Sequence, residues 1–358
     1  MQKIYEVMDI ADSAYIMHQG RLSFELSPDD RYSVEGKGII FGAEEPLIAN
    51  KTDRDEYFRF QSAYVTDDAT VEKIPLKNLF KVFAVYNIGY SVTKNIARYL
   101  QLTNRMYINK EKKISGFEMA SKEYARIYVE IIENLKQVHA RLLIGWLKQL
   151  VEKYTNSLVY TKGRAFLRDT AKSNIKFNTE KLSEYTFNLR AGSILCEEGD
   201  TGHEMYILNR GNLVVYIGGK KVADINEAGT VIGEMALLLG EKRTATIKTV
   251  TDCNITIVKP EDLEKVAKTT DDFLLNIAVN LGRRLEHNCT LIRETNELLL
   301  ESKKTETPLP PKERINYKEL LALVRELEHY DIKYKNEWMS EILNKTKKEI
   351  NQVRELYK

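Results

Sequence analysis

Two stretches of this chain lie over one another without a gap, and that repetition limits the folds open to it more than any other feature. At an offset of 191 residues, "DIADSAYIMHQGRLSF" from Asp9 falls on "DTGHEMYILNRGNLVV" from Asp200, pairing Tyr15 with Tyr206, Ile16 with Ile207, Gly20 with Gly211 and Leu22 with Leu213. Gly38 and Gly42 meet Gly229 and Gly233 in the same register. The offset then falls to 185, where "YVTDD" at 64–68 meets "TVTDC" at 249–253 and "NIARYL" at 95–100 meets "NLGRRL" at 280–285. The first copy therefore carries six extra residues between Gly42 and Tyr64. A register kept over a long stretch and recovered in a later segment reads as an internal duplication.

Each copy reads first as strands and then as helix. "MYILNRGNLVVYIGGKKVADI" alternates apolar and polar residues and breaks at Gly218-Gly219, a hairpin signature. "RTATIKTVTDCNITIVK" adds two β-branched runs around Thr251-Asp252. The following segment places Pro260 at a helix start and Leu274, Ile277, Leu281, Leu285 and Ile292 near a 3.6-residue period. The fold expected is α+β, a tandem of two antiparallel β-rolls, each followed by helices. Only eight residues precede Asp9, so the opening elements of the first roll are expected to be shortened or missing. The domains expected are the first roll at 1–100, a helical connector at 101–175, the second roll with its helix at 176–300, and a Pro-rich linker with a helical tail at 301–358. The tail reads as a helical hairpin packed on its own domain.

Charged residues at 30% and apolar ones at 43% suit a soluble globular protein, and a net charge of +2 supplies no basic field for nucleic acid. The tail has mixed charge and no wing strands, which argues against DNA recognition. The start lacks a secretory pattern, and "LLIGWLKQLV" at 142–151 is too short for a membrane span, so a cytoplasmic protein is expected. Cys196, Cys253 and Cys289 and the five histidines show no metal-ligand spacing, and the expectation is reduced thiols and no metal. No nucleophile elbow, Walker loop or zincin motif appears, so no enzyme is expected.

"GEMALLLGEKRTATI" at 233–247 lies between the two groups of strands and reads as a short helix entered through Gly229 and Gly233. A helix start beside Arg243 favours an anion, since N–H groups and a guanidinium both attract phosphate. Glu234 would repel that phosphate unless it faced donors such as sugar hydroxyls. A phosphate beside a ribose on an apolar surface describes a nucleotide. The residue chemistry equally allows Glu234 and Arg243 to pair with each other across the roll.

Residues 187–258 resemble the cyclic nucleotide-binding domain shared by cAMP-dependent kinase regulatory subunits, bacterial catabolite activators and cyclic-nucleotide-gated channels. The resemblance rests on Gly192, Gly199, Gly202, Gly211 and Gly229, on "EGD" at 198–200, and on the cassette from Gly233-Glu234 to Arg243-Thr244-Ala245-Thr246. It implies a jelly-roll-like fold and a ligand set of Gly233, Glu234, Met235, Ala236, Arg243, Thr244 and Ala245. Glu234 would accept from the ribose 2′-OH, Arg243 would hold the exocyclic phosphate oxygens, and amides around Ala236 would complete the cradle. In some members a Thr at the Thr244 position favours cGMP, while channels with Thr can prefer cAMP. The helix at 261–300 would cover the base. The first copy departs from the pattern: Ala43 stands against Glu234, Glu45 against Ala236, Pro46 against Leu237 and, in the later register, Phe58 against Arg243, with Arg54, Arg59 and Glu44 nearby. It is expected to be degenerate and to bind no cyclic nucleotide.

The function expected is signal transduction by a non-catalytic receptor for a cyclic mononucleotide, cAMP or cGMP, with no other cofactor, in which the second domain moves helices read by a protein effector. No Arg-Arg-x-Ser/Ala inhibitory segment precedes the rolls, and channel spans are absent. The contrasting expectation is an inert scaffold of two rolls and oligomerising helices. A homodimer through helix 271–300 would use Leu274, Ile277, Leu281, Leu291 and Leu298, a seam interrupted by Arg284, Asn288 and Thr295.

Overall fold

The computed structural model describes residues 1–52, 56–114, 116–166, 175–304 and 315–357. Arg54 and residues 305–314 of the Pro-rich linker lie outside the described residues. The chain forms two compact units, one of Met1–Arg105 with Asp169–Cys289 and one of Met106–Arg168 with Thr290–Lys358. The architecture is α+β.

The first unit holds two rolls of antiparallel strands. The first roll contains β1 (Gln2–Tyr5), β2 (Ser13–Gln19), β3 (Arg21–Ser27), β4 (Asp30–Glu35), β5 (Ile39–Phe41), α1 (Glu44–Thr52), β6 (Ser62–Val65) and β7 (Thr70–Pro75). Helices α2 (Leu76–Phe83) and α3 (Tyr86–Glu111) follow, and α3 continues past Arg105 into residues of the second unit. The helices α4 (Gly116–Leu142), α5 (Gly145–Thr155) and α6 (Leu158–Gly163) come next in the chain. The second roll contains β8 (Thr186–Leu189), β9 (Ile194–Cys196), β10 (Met205–Arg210), β11 (Leu213–Ile217), β12 (Lys220–Ile225), β13 (Thr230–Ile232), α7 (Glu234–Leu239), β14 (Thr246–Thr249) and β15 (Cys253–Val258). It leads into α8 (Leu263–Thr269) and α9 (Phe273–Lys304), and the chain ends in α10 (Ile315–Tyr334) and α11 (Glu337–Leu356).

Strand order repeats between the rolls. The sheet β1-β6-β3-β4 corresponds to β9-β14-β11-β12, and β5-β2-β7 corresponds to β13-β10-β15. The second roll adds β8 at the edge of β15, and the described residues give the first roll no counterpart to it. The hairpin turn is where the glycine pair placed it: Gly218 and Gly219 both take positive φ, 56° and 74°, and join β11 to β12.

The ladders correct the register of the late strands. Leu22 pairs with Val65 where Leu213 pairs with Thr249, and Met17 pairs with Val71 where Leu208 pairs with Ile255. The offset there is 184 rather than 185, so seven residues and not six are inserted in the first copy. The shared Val-Thr-Asp at the turn suggested the other register. A slip of one residue would set buried Val65 against exposed Val250, and the alternation of strand faces forbids it.

The helical segment read from Pro260 is two helices. It breaks at Thr270–Asp272, where Asp272 adopts φ 56° and accepts the Asn276 N–H at 2.8 Å. Leu274, Ile277, Leu281 and Leu291 of α9 are buried within this chain, which leaves them unavailable as a homodimer seam. Two of the three polar interruptions have partners here: Asn288 donates to Asn104 at 2.6 Å, and Arg284 pairs with Glu234.

The second unit is helical and organised on α4. Tyr124, Tyr128, Ile131, Ile132 and Leu135 of α4 are buried with Leu320, Leu323 and Leu327 of α10 and with Met339, Leu343 and Ile350 of α11. Connector and tail thus share one core, because each apolar face needs a partner that its own segment cannot supply. Among the described residues, no helix is long and apolar enough to cross a membrane, and no group of three or more His, Cys, Asp or Glu is disposed to hold a metal ion.

Candidate functional site

The cassette begins where the backbone turns left-handed. Gly233 at φ 82° caps α7, and Gly240 at φ 66° ends it, conformations that an L side chain rarely adopts. The α7 face bearing Ala236, Leu237 and Leu238 is buried. Its first turn presents the N–H groups of Glu234 and Met235, for which helical geometry supplies no partner. The Ala236 N–H is turned back on the Gly233 carbonyl at 3.1 Å.

Arg243 lies beneath this turn, its side chain 4% exposed. Its backbone is pinned on both sides, the N–H donating to Asp200 O and the carbonyl accepting from Gly199 N, each at 2.8 Å. Its Nη2 donates to the Glu204 carbonyl at 2.7 Å and lies 3.2 Å from Glu204 Oε1. The guanidinium carbon sits 5.1 Å from the centre of the Tyr206 ring. Two donors, Nε and Nη1, are buried without a partner. A buried cationic donor left unpaired is costly unless something completes it.

Space around the guanidinium exists only because two residues lack a Cβ. One added at Gly202 would stand 2.4 Å from Nε, and one at Gly233 would stand 2.3 Å from Nη1. Burial pulls the Glu204 carboxyl upward, yet hydrogen bonds from Tyr206 and from backbone amides, with the Arg243 charge, hold it below the usual carboxylate range. Burial and the bond to Glu204 push the Tyr206 hydroxyl well up. Cys196, desolvated near the same charges, is also raised and remains a thiol.

Glu234 and Arg243 do not pair with each other. Glu234 Oε1 accepts from Arg284 Nη1 of α9. Thr244 is exposed and Ala245 half-buried at the entry to β14. The structure therefore brings Gly233, Glu234, Met235, Ala236 and Arg243 together at one end of the roll, with Thr244 and Ala245 continuing from it. Sequence reasoning assigned no role here to Glu204, Tyr206 or Arg284. The alternation of β10 gave no hint that Glu204 and Tyr206 reach one guanidinium, and Arg284 stood in sequence only as a polar break in an apolar seam.

The first roll contains the same arginine one position later than the sequence register placed it. Arg59 N donates to Asp9 O at 2.8 Å and its carbonyl accepts from Met8 N, as Arg243 does with Asp200 and Gly199. Arg59 Nη2 donates to the Ser13 carbonyl as Arg243 Nη2 does to Glu204. Arg59, not Phe58, is the counterpart of Arg243, and Phe58 bridges Ile10 as Lys242 bridges Thr201.

Residues 186–270 match the family model of the cyclic nucleotide-binding domain. The match runs from β8 to the end of α8 in the second roll. A cyclic nucleotide-gated channel of Caenorhabditis elegans is 38% identical over 79 residues, 20% of this chain and 11% of that protein. The cGMP-dependent protein kinase isozyme 2 of Drosophila melanogaster is 28% identical over 103 residues, covering 26% and 9% of the two chains. The cGMP-dependent protein kinase of Plasmodium berghei is 41% identical over 68 residues, covering 18% and 8%. The chain thus spans about a tenth of the length of these relatives. Among solved structures, one described as "Sp-2Cl-cAMPS bound to PKAR CBD2" is 25% identical over 29% of this chain and 72% of that one, with a TM-score of 0.24.

Proposed function

We propose that the second roll is a receptor for a cyclic mononucleotide and that binding there is passed to α9. The observation that carries this reading is the two buried Arg243 donors, Nε and Nη1, which face glycines and have no hydrogen-bond partner among the described residues. The two donors point from different edges of the guanidinium, and oxygens of a bound phosphate would meet an open donor in a charge-assisted contact. Glu234, eleven per cent exposed at the rim of the same turn, accepts from ribose hydroxyls. Gly233 and the first-turn amides of Glu234 and Met235 complete the phosphate cradle, with Ala236 and Ala245 keeping it narrow. Thr244 lies where a guanine amino group or solvent can reach it, so both cAMP and cGMP are candidates.

Glu234 supplies the link to the helices. In this structure it is held by Arg284, and a ribose hydroxyl arriving on the same carboxylate changes what Arg284 gains from its present position. Ligand and helix are then coupled, because the ligand prefers one arrangement of α9 over another. A protein effector reads the difference, and the chain itself has no catalytic role. These roles draw support from the matched family and from the relatives named for cyclic nucleotides and cGMP.

Calorimetric titration of the full chain with cAMP and separately with cGMP tests the reading. One site per chain is expected. Arg243→Ala removes a charge-assisted contact worth roughly 1.5–3 kcal/mol, about tenfold to over a hundredfold in affinity. Neither heat nor a thermal shift with either nucleotide, from protein purified free of nucleotide, overturns it in favour of a scaffold.

A further inference from the structure

The two rolls present the same buried arginine to different situations at Nη1, while Nε is buried without a hydrogen-bond partner among the described residues in both. In the second, Arg243 Nη1 has no partner. In the first, Arg59 Nη1 donates to Glu45 Oε2 at 2.9 Å and to the Gly42 carbonyl at 2.7 Å. Glu45 Oε1 also accepts from the Phe60 N–H at 3.3 Å. Both charged side chains are closed to solvent, Arg59 at 1% and Glu45 at 0% exposure, and the Tyr5 ring centre lies 4.2 Å from the guanidinium carbon.

Glu45 occupies a particular place. Gly42 at φ 65° corresponds to Gly233 at φ 82°, and counting on from each glycine sets Glu45 where the second roll has Ala236. At Ala236 the side chain stops at Cβ. At Glu45 two methylenes carry a carboxylate down to the guanidinium.

We propose that Glu45 is a built-in anion that fills the phosphate position of the first roll, so that Arg59 marks a latent anion site and not a lost one. A carboxylate offers a guanidinium the same paired oxygens as a phosphate, which is why one can substitute for the other. Glu44 does not compete for the role: burial first and the Glu45 charge second push its carboxyl up to about 8, and neither of its oxygens has a partner. Glu45 is thus, among the described residues, the carboxylate in hydrogen-bond contact with Arg59. The filled site keeps α1 drawn in, and α1 packs on α9: Ile48 Cδ1 would lie 3.2 Å from a Cβ at Gly282, and Lys51 Nζ pairs with Asp272 at 2.7 Å. The first roll accordingly takes no cyclic nucleotide and supports the stretch of helix that carries Arg284.

The proposal rests on reading a guanidinium below a cassette glycine as an anion holder, and the test separates the two rolls. The full chain is made as Arg243→Ala and as Arg243→Ala with Glu45→Ala, and thermal unfolding is followed in sodium phosphate against sodium chloride at matched ionic strength. The single variant is expected to show no phosphate-specific shift. The double variant should show a saturable rise of roughly 3–6 °C at ten times the dissociation constant, abolished by adding Arg59→Ala. A folded double variant indifferent to phosphate overturns the proposal. If that variant is unfolded in chloride, refolding is repeated in phosphate and in acetate: recovery of native circular dichroism with either anion supports the proposal, and an unfolded chain in all three salts overturns it. A wild-type response to phosphate that Arg243→Ala removes reports on the second roll alone.

Discussion

Gly202→Ala gives the most direct check on how the second roll holds a ligand. Gly202 lies outside the left-handed region, so alanine adds no backbone strain there. Its Cβ would stand 2.4 Å from Arg243 Nε, 2.7 Å from Nη2 and 2.8 Å from Cζ, whereas ordinary contacts begin at 3.4 Å. The guanidinium must therefore retreat by about 1 Å, a distance set by that overlap and by the small compressibility of a packed interior. It has no slack for this, being 4% exposed and tied to the Glu204 carbonyl at 2.7 Å. Losing its alignment to an anion forfeits one charge-assisted contact, roughly 1.5–3 kcal/mol, or about tenfold to a hundredfold in affinity for cAMP or cGMP. Calorimetric titration reads the loss, with circular dichroism confirming the fold. Gly199→Ala is the contrast: nothing lies within 4 Å of its Cβ, but φ is 89°, so it should cost stability and leave affinity nearly intact. Wild-type affinity in folded Gly202→Ala would refute the account of Arg243 as confined.

Glu44→Gln should change the pH profile of stability. With its carboxyl raised from 4.5 to about 8 in the folded chain, the native state keeps a proton that the unfolded state releases. The contribution of Glu44 is fully present below pH about 4.5 and falls by up to about 1.4 kcal/mol per unit as pH rises toward 8. The neutral isostere lacks this slope, so its stability relative to wild type, measured by urea unfolding, should grow steadily across that window; parallel profiles would contradict it. In the second unit, Gly163→Ala puts a Cβ 2.6 Å from the Ala125 carbonyl and 2.8 Å from Val129 Cγ2, forcing α6 away from α4. A loss of roughly 1–3 kcal/mol is expected in denaturant melts, and an unchanged midpoint would show that the contact yields freely.

Local chemistry made much of this protein legible. Alternation, the Gly218-Gly219 pair and the β-branched runs marked the strands, because a half-buried sheet repeats every two residues. The cassette was legible for a related reason: Gly233, Glu234 and Arg243 are close in sequence and joined by one short helix, so their spacing already fixes most of their geometry. The break at Thr270–Asp272 was not, since apolar residues keep their period on either side of it. Nor was the merger of connector and tail into one helical core, which depends on which amphipathic faces find each other.

The sequence by itself determined the strands of the second roll and the short helix between them, which follow from neighbours a few residues apart. Only the tertiary structure decided who partners whom. It returned Arg59 to the position of Arg243, because backbone bonds to Asp9 and Asp200 define equivalence more surely than a slipped identity in a turn. It gave Glu234 to Arg284, fifty residues away, and Arg59 to Glu45, while Arg243 kept two donors open. A charge placed by folding in a water-free site must be met by another group, and sequence distance says nothing about which group that will be.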